Sequence, residues 1–431
     1  MSTLQAPRGT RDILPDDQPY WQYIYDCVTK QARVFSFQKI DFPIFEAVDL
    51  FVRSIGNGTD VIDKELFRIA RAQNASDSES TQYALRPEGT ASVVRAYLEH
   101  GMQSWSQPVK LWYEGPMFRY DRPQKGRYRE FRQFGIECIG DASPTSDALV
   151  ILFAWEVFSA LGLKDDISIE VNSIGDKVCR PKIKRALTTH FQNNSRALCD
   201  DCKQRLKTNP LRIFDCKQEQ CQEIKNGAPQ VLDLLDDACK EHFQTVLEFL
   251  DELQIPYDLN PFLVRGLDYY TRTTFEIKEK GSDRQQNSLG GGGRYDGLIE
   301  QLGGQPTPAI GFALGLDRII EFMKEKHVRL PAVTNPDACI VHVGDKARRV
   351  GLVVMKELAE TGMSVISAPG KDSIKAQMRV ADKAGCIFAL IIGQKEALDK
   401  TVIIKNLDDG SQETVTRAKL IASLQKKLKK N

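Results

Sequence analysis

The sequence predicts a mixed α and β protein in two unequal parts: a strand-rich region with a helical insertion, then a small α/β domain. Three observations carry this. Up to about residue 325 the chain is dominated by strand-like segments punctuated by glycine. Within that region, roughly Lys177 to Leu253 is polar, helical in pattern and furnished with its own cysteine group, as an insertion would be. Beyond HVRLPAVTNPDA (His327–Ala338), where two prolines and an Asn-Pro step mark a linker, strands and helices alternate to the end.

Composition sets the outer limits. The chain has 431 residues, 42% of them apolar and 27% charged, which suits two to four globular domains. No apolar run is long enough to span a bilayer, so no membrane association is expected. MSTLQAPRGTRDILP has no apolar signal-peptide core, and ten cysteines scattered without an export signal fit reduced thiols. The expected location is therefore the cytoplasm. A net charge of +1 gives no global pull toward polyanions, so nucleic-acid binding would need local basic patches such as the tail LQKKLKKN.

Along the chain, RPEGT (Arg86–Thr90) sets a carboxylate in a turn ahead of a helix. Lys110–Tyr120 and Tyr128–Ile139 then read as a hairpin around DRPQKGR. Tyr113 to Gly140 holds five arginines, a lysine and six aromatic residues. Strand alternation puts Gln133, Gly135 and Glu137 on one face and Phe134, Ile136 and Cys138 on the other. Gly135 between two polar residues leaves a floor for something flat. The plainer reading is a hairpin with one wet face.

RGLDYYTRTTFEI (Arg265–Ile277) reads as a strand opened by an arginine, with two adjacent tyrosines. SLGGGGRYDGLI (Ser288–Ile299) holds four consecutive glycines before a helix, which fits close backbone approach to a ligand better than a linker. PAIGFALGLDRIIEFM (Pro308–Met323) runs from strand to helix and sets Arg318 near the helix start. A cation there opposes the helix dipole, a cost that makes sense if it faces an anion. Arg119, Arg265 and Arg318 could thus converge on a triphosphate, with carboxylates and tyrosines beside them for a cationic amine and a polar side chain. Such a site suits nucleotidyl transfer, which runs on positioning and charge neutralisation. No Walker A motif is present, and the five histidines lie outside every one of these groups, against a histidine-based hydrolase. The C-terminal strands are ACIVHVG, MSVISA, CIFALIIG, TVIIKNL and QETVT, with helices over Lys346–Glu360 and Ser373–Lys383 and no dinucleotide fingerprint.

In order and spacing, APRGTRDILP, FPIFEAVDLFVRSIG, GPMFRYDRPQKGRYREFRQFG, RGLDYYTRTTFEI and GFALGLDR resemble the class II aminoacyl-tRNA synthetases, and within them the histidyl branch. The resemblance spans nearly the whole chain. It implies an α+β catalytic domain over 1–326, with an antiparallel sheet flanked by helices and a mainly helical insertion at 177–253. It further implies a linker at 327–336 and an anticodon-binding α/β domain with a mixed sheet over 337–431. FPIFEAVDLF would form a homodimer interface. The implied reaction joins L-histidine to ATP, with Mg²⁺, as histidyl-adenylate, and then transfers histidine to the 3′ end of its tRNA.

Roles follow by position. Arg119 and Arg265 are the implied catalytic groups at the α-phosphate, with Arg127 and Arg318 also on ATP and Arg318 at the γ-phosphate. Glu88 and Thr90 would hold the substrate ammonium, and Gln133 with Arg265 the carboxylate. Glu137 and Tyr270 would bond the two imidazole nitrogens, with Tyr269 and Tyr295 closing the pocket. The loop residues Gln124, Lys125, Arg127 and Arg129 would meet the tRNA acceptor end. Such chains also serve as non-catalytic, histidine-sensing regulatory subunits of ATP phosphoribosyltransferase. Those are expected to lose the C-terminal domain and the ATP arginines, which this sequence keeps. A general RNA-binding scaffold would leave RPEGT, RGLDYY and the glycine run unexplained.

One further motif stands apart. Cys199, Cys202, Cys216 and Cys221 form C-x₂-C-x₁₃-C-x₄-C, a spacing suited to tetrahedral zinc, with free thiols packed under a helix as the plainer alternative.

Overall fold

A computed structural model describes residues 4–56, 59–70, 82–281, 287–331 and 335–428. The middle of the expected linker (332–334) and the last three residues of the basic tail lie outside the described residues. The chain forms two compact units, Met1–Leu330 and Pro331–Asn431.

The first unit is built on an eight-stranded sheet. Its order is Gln38–Lys39, Val109–Phe118, Glu130–Ile139, Ala309–Gly315, Ser288–Arg294, Thr271–Glu279, Ile167–Ser173, Asp258–Leu259. The six inner strands pair antiparallel, and only the short edge strands are parallel to their neighbours. Alternation decides what each face does. Phe134, Ile136 and Cys138 enter the main core, where they meet Trp21, Phe158 and Ile319 from helices Gln18–Val34, Pro144–Ala160 and Leu316–Glu325. Helix Pro144–Ala160 is apolar on nearly every side because it is sandwiched: the sheet lies on one side and helix Asp237–Glu252 on another. The opposite face of the sheet meets helix Thr90–Glu99 and the helices between Arg180 and Asn226, in a second core that includes Tyr97, Phe191 and Ile213.

One buried ion pair fixes the end of the glycine strand. Arg294 is fully buried, and its Nε donates to Asp147 Oδ1 at 2.9 Å. His242 Nε2 lies 2.8 Å from the other oxygen of Asp147. Removing one member of such a pair strands the other charge, so this contact anchors the turn that carries Tyr295.

The second unit is a mixed five-stranded sheet in the order Val365–Ser367, Ala338–His342, Phe388–Ile392, Thr401–Asn406, Gln412–Thr416. The first three strands are parallel and the last two antiparallel. Helices Asp345–Ala359 and Arg417–Leu428 pack Val354, Leu358, Leu420 and Leu424 onto the sheet. Among the described residues no helix is long and apolar enough to cross a membrane.

Two local expectations change. Arg265 does not open a strand: the strand starts at Thr271, and Arg265 lies in the preceding loop, which folds back over its own strand so that Nη1 donates to Glu276 Oε1 at 3.1 Å. The floor at Gly135 is not vacant either. A Cβ there would come within 2.4 Å of the Tyr113 ring, and one at Gly89 within 2.3 Å. Both glycines therefore make room for a tyrosine that alternation alone did not mark.

Candidate active site

A cavity of about 610 Å³ opens in the first unit, on the sheet face that carries Gln133, Gly291, Ala313 and Glu276. One end is cationic. Arg119 enters from the end of the hairpin's first strand, Arg127 from its loop and Arg318 from the first turn of helix Leu316–Glu325. Each is tethered. Arg119 Nε donates to Pro87 O at 2.9 Å, Arg318 Nη1 donates to Ser288 O at 2.6 Å, and Arg127 pairs with Asp121. Burial first, and then repulsion from Arg127 and Arg119, lowers the pKa of Arg318 below the ordinary arginine value. A cluster of like charges in a cleft is a receptor for an anion. Asp317 next door is diverted: it takes Arg11 at 2.9 Å and the backbone N–H of Arg132 at 2.7 Å, bracing the helix start against the hairpin.

Arg265 enters at mid-cavity, beside Gly291, where a Cβ would lie 2.7 Å from its Nη1. The glycine run is thus a regular strand, and at Gly291 the missing side chain is replaced by a guanidinium. Nε of Arg265 and Oε1 of Gln133 are buried without a hydrogen-bond partner among the described residues. A buried polar atom left unpaired is costly, so both are suited to a ligand that brings the complementary group.

The other end is closed and polar. Glu137 is fully buried, with Oε1 accepting from Thr90 Oγ1 at 2.7 Å and Oε2 from Tyr295 OH at 2.6 Å. Tyr113 OH lies 3.5 Å from Oε1. Burial pushes the Glu137 carboxyl up to about 8, against the hydrogen bonds from Tyr295, Thr90 and Tyr113 that favour its charge and with Glu88 adding repulsion. A Cβ at Gly311, opposite Glu137 on the next strand, would come within 1.8 Å of Oε2. Tyr269 and Tyr270 line the cavity with ring centroids 4.7 Å apart, and Tyr295 meets Tyr269 edge-on at 5.8 Å. Glu88 also lines it, but both its oxygens accept helix N–H groups, from Thr90 at 2.7 Å and Ala91 at 2.9 Å.

Of the residues singled out in the sequence, Arg119, Arg127, Arg265 and Arg318 thus share one cavity with Gln133, Glu88, Thr90, Tyr269 and Tyr270. Glu137 and Tyr295 lie just behind its wall, joined to it through Thr90 and Tyr269. In the loop, Lys125 instead pairs with Glu325 at 3.2 Å, and Arg129 stacks on Tyr120 at 3.7 Å. Tyr113 and Glu276 went unmarked. Period two along TRTTFEIKE would have put Glu276 and Lys278 on one face; Tyr113 carries no signal until strand register is known. The four cysteines come together, every sulfur within 4.8 Å of the others.

The chain is similar to known proteins over nearly its whole length. The family described as "Histidyl-tRNA synthetase" matches residues 9–319, and the "Anticodon binding domain" family matches residues 337–427. The chain is 43% identical to the "Histidine--tRNA ligase" of Dehalococcoides mccartyi, over 98% of this chain and all of the relative. It is also 43% identical to that of Halothermothrix orenii, over 98% of this chain and 99% of the relative. The crystal structure of apo S. aureus histidyl-tRNA synthetase superposes with a TM-score of 0.81 at 36% identity, covering 98% of this chain and 100% of that one. A Nostoc histidyl-tRNA synthetase at 20% identity and TM-score 0.65 shares the fold. A chain with this cavity, matched end to end at this identity, belongs to the histidyl-tRNA synthetase family.

Proposed function

We propose that the chain activates L-histidine with ATP as histidyl-adenylate, releasing pyrophosphate, and then esterifies the 3′-terminal ribose of its cognate tRNA. One observation carries the assignment of roles: cations from three separate parts of the chain line the same cavity as a glutamine and a tyrosine pair, backed by a buried carboxyl. The substrate carboxylate attacks the α-phosphorus, and the bond to pyrophosphate breaks. Arg119 and Arg265 stabilise the charge gathering on the α-phosphate oxygens; Arg318, with Arg127, takes the departing end. Mg²⁺ bound to ATP would supply further shielding of its phosphates. Gln133 and Arg265 orient the carboxylate, and Glu88 and Thr90 the ammonium. Glu137 and Tyr270 read the imidazole nitrogens, while Tyr269 and Tyr295 enclose the ring. In the second step the ribose hydroxyl attacks the acyl carbon and AMP leaves.

In this reading residues 1–326 are the catalytic domain, 177–253 its insertion, 327–336 the linker and 337–431 the anticodon reader. Gln124, Lys125, Arg127 and Arg129 approach the acceptor end. The chain works as a homodimer in the cytoplasm. Support for the dimer comes from Ile44, Phe45 and Tyr83, exposed by 46, 53 and 40%, a cluster that a partner would cover. The regulatory-subunit alternative is not favoured, since the cationic end and the C-terminal unit are both intact. Charging of histidine tRNA with labelled histidine tests the reading: stable esterification supports it, and absence of any charging with ATP present would overturn it.

A further inference from the structure

The cysteine group lies against the active site, a placement that spacing alone did not reveal. Cys216 is a member of the four-sulfur cluster and also lines the cavity, together with Phe214, Asp215, Lys217 and Lys225. The Cys199 and Cys216 sulfurs are 3.8 Å apart. A tetrahedron with Zn–S bonds of about 2.3 Å has edges of about 3.8 Å, whereas a disulfide would need about 2.05 Å. Backbone N–H groups of Cys199, Cys202 and Gln218 point at the sulfurs of Cys221, Cys199 and Cys216 at 3.3, 3.4 and 3.4 Å. Donors of this kind favour thiolate over thiol and orient it, as the outer partners of a metal site do. The other mixed cluster, Asp176, Cys179, Asp236 and Cys239, differs: its carboxylates already cap helix turns, and one is paired with Arg272.

What the cluster clamps is the brace behind Arg265. Between Cys202 and Cys216, Asn209 Nδ2 donates to Asp268 Oδ1 at 3.0 Å and Arg212 Nη2 to Gly266 O at 3.3 Å. The rings of Phe214 and Phe262 meet at 5.4 Å. These three contacts grip residues 262–268 on both sides of Arg265, in a loop with no strand or helix of its own. We propose that Cys199, Cys202, Cys216 and Cys221 bind one structural Zn²⁺ whose function is to hold the Arg265 loop in place, so that zinc occupancy sets the affinity of the active site for ATP and histidine. The proposal deepens the synthetase reading and rests on it. The four cysteines are the ligands; Asn209, Arg212 and Phe214 are positioning residues.

The test starts from full-length protein purified without chelator. Elemental analysis should give about one zinc per chain, released by a thiol-modifying reagent, and Cys216→Ser should lose at least half an equivalent. ATP–pyrophosphate exchange in that variant should show KM for ATP and histidine raised about tenfold or more, as misplacement of a positioned group does. Asn209→Ala, which leaves every sulfur in place, should keep its zinc and show a smaller rise in the same two constants. Less than a tenth of an equivalent in the intact protein, with no uptake from added Zn²⁺, would overturn the metal site, as would the absorbance of an iron–sulfur cluster. Full zinc loss with unchanged KM values would overturn the coupling. In either case, histidine-dependent exchange by the intact protein would leave the synthetase reading standing.

Discussion

At one end of the cavity Arg119, Arg127 and Arg318 repel one another. At the other, Glu137, Thr90, Tyr113 and Tyr295 have already spent their polar atoms on each other. In the first arrangement Asp121 answers Arg127, and on the proposed function the cations would draw in an anion and stabilise the transition state. The second is preorganised, and a ligand must replace each contact it displaces. On the proposed function rejection would be strong there, because an analogue missing one nitrogen would leave a buried partner unpaired. A single site would then obtain rate from one end and discrimination from the other, with Arg265 at mid-cavity between them.

Substitutions can separate the two. Arg265→Ala should have the largest effect, slowing ATP–pyrophosphate exchange by about 10³-fold or more, the scale of losing an oxyanion donor. The fold should persist, because Glu276 keeps Lys278 at 3.3 Å; unchanged circular dichroism checks this. Glu137→Gln comes next and should raise KM for histidine by about tenfold, the upper value of a neutral hydrogen bond, while KM for ATP stays nearly constant. Equal loss for both ligands would make Glu137 a structural residue and erase the contrast between the ends. Arg318→Ala should reverse the pattern, raising KM for ATP by about tenfold with little effect on histidine. Its melting temperature should not fall, since one of three like charges has gone.

The smallest effect is a slope. A buried carboxyl whose pKa is raised to about 8 keeps its proton after the unfolded chain has lost its own. Stability therefore declines as pH climbs from the ordinary glutamate range toward 8. Glu137→Gln removes that dependence, so its melting temperature relative to the parent should improve steadily from pH 5 to 8. A constant difference would mean Glu137 is already ionised. Glu88, the nearest other carboxyl, is also raised by burial and will contribute a residual slope of the same sign.

Much of this was legible in the sequence for a definite reason: alternation is local. Gln133, Gly135 and Glu137 share a face because they are two residues apart, and the strand–helix order of the C-terminal unit follows from short periodic runs. Arg318 was legible too, because a cation in a helix's first turn needs a reason to be there. What stayed hidden depends on contacts between distant parts of the chain. Glu137 is clamped by Thr90, 47 residues before it, and Tyr295, 158 after it. Tyr113 fills the floor at Gly135 only once two strands are in register, and Arg265 meets Glu276 only because its loop folds back. The cysteine spacing suggested a metal, but not that the segment it staples braces the active site.

On the proposed function, guanidinium groups from separate segments and the polar, tyrosine-lined end of the cavity act as one reacting site. ATP–pyrophosphate exchange, run with each of the twenty amino acids in turn, tests it most directly. Exchange is expected with histidine alone and is expected to be lost in Arg265→Ala. Exchange driven equally by another amino acid, by none, or undiminished in that variant would contradict it.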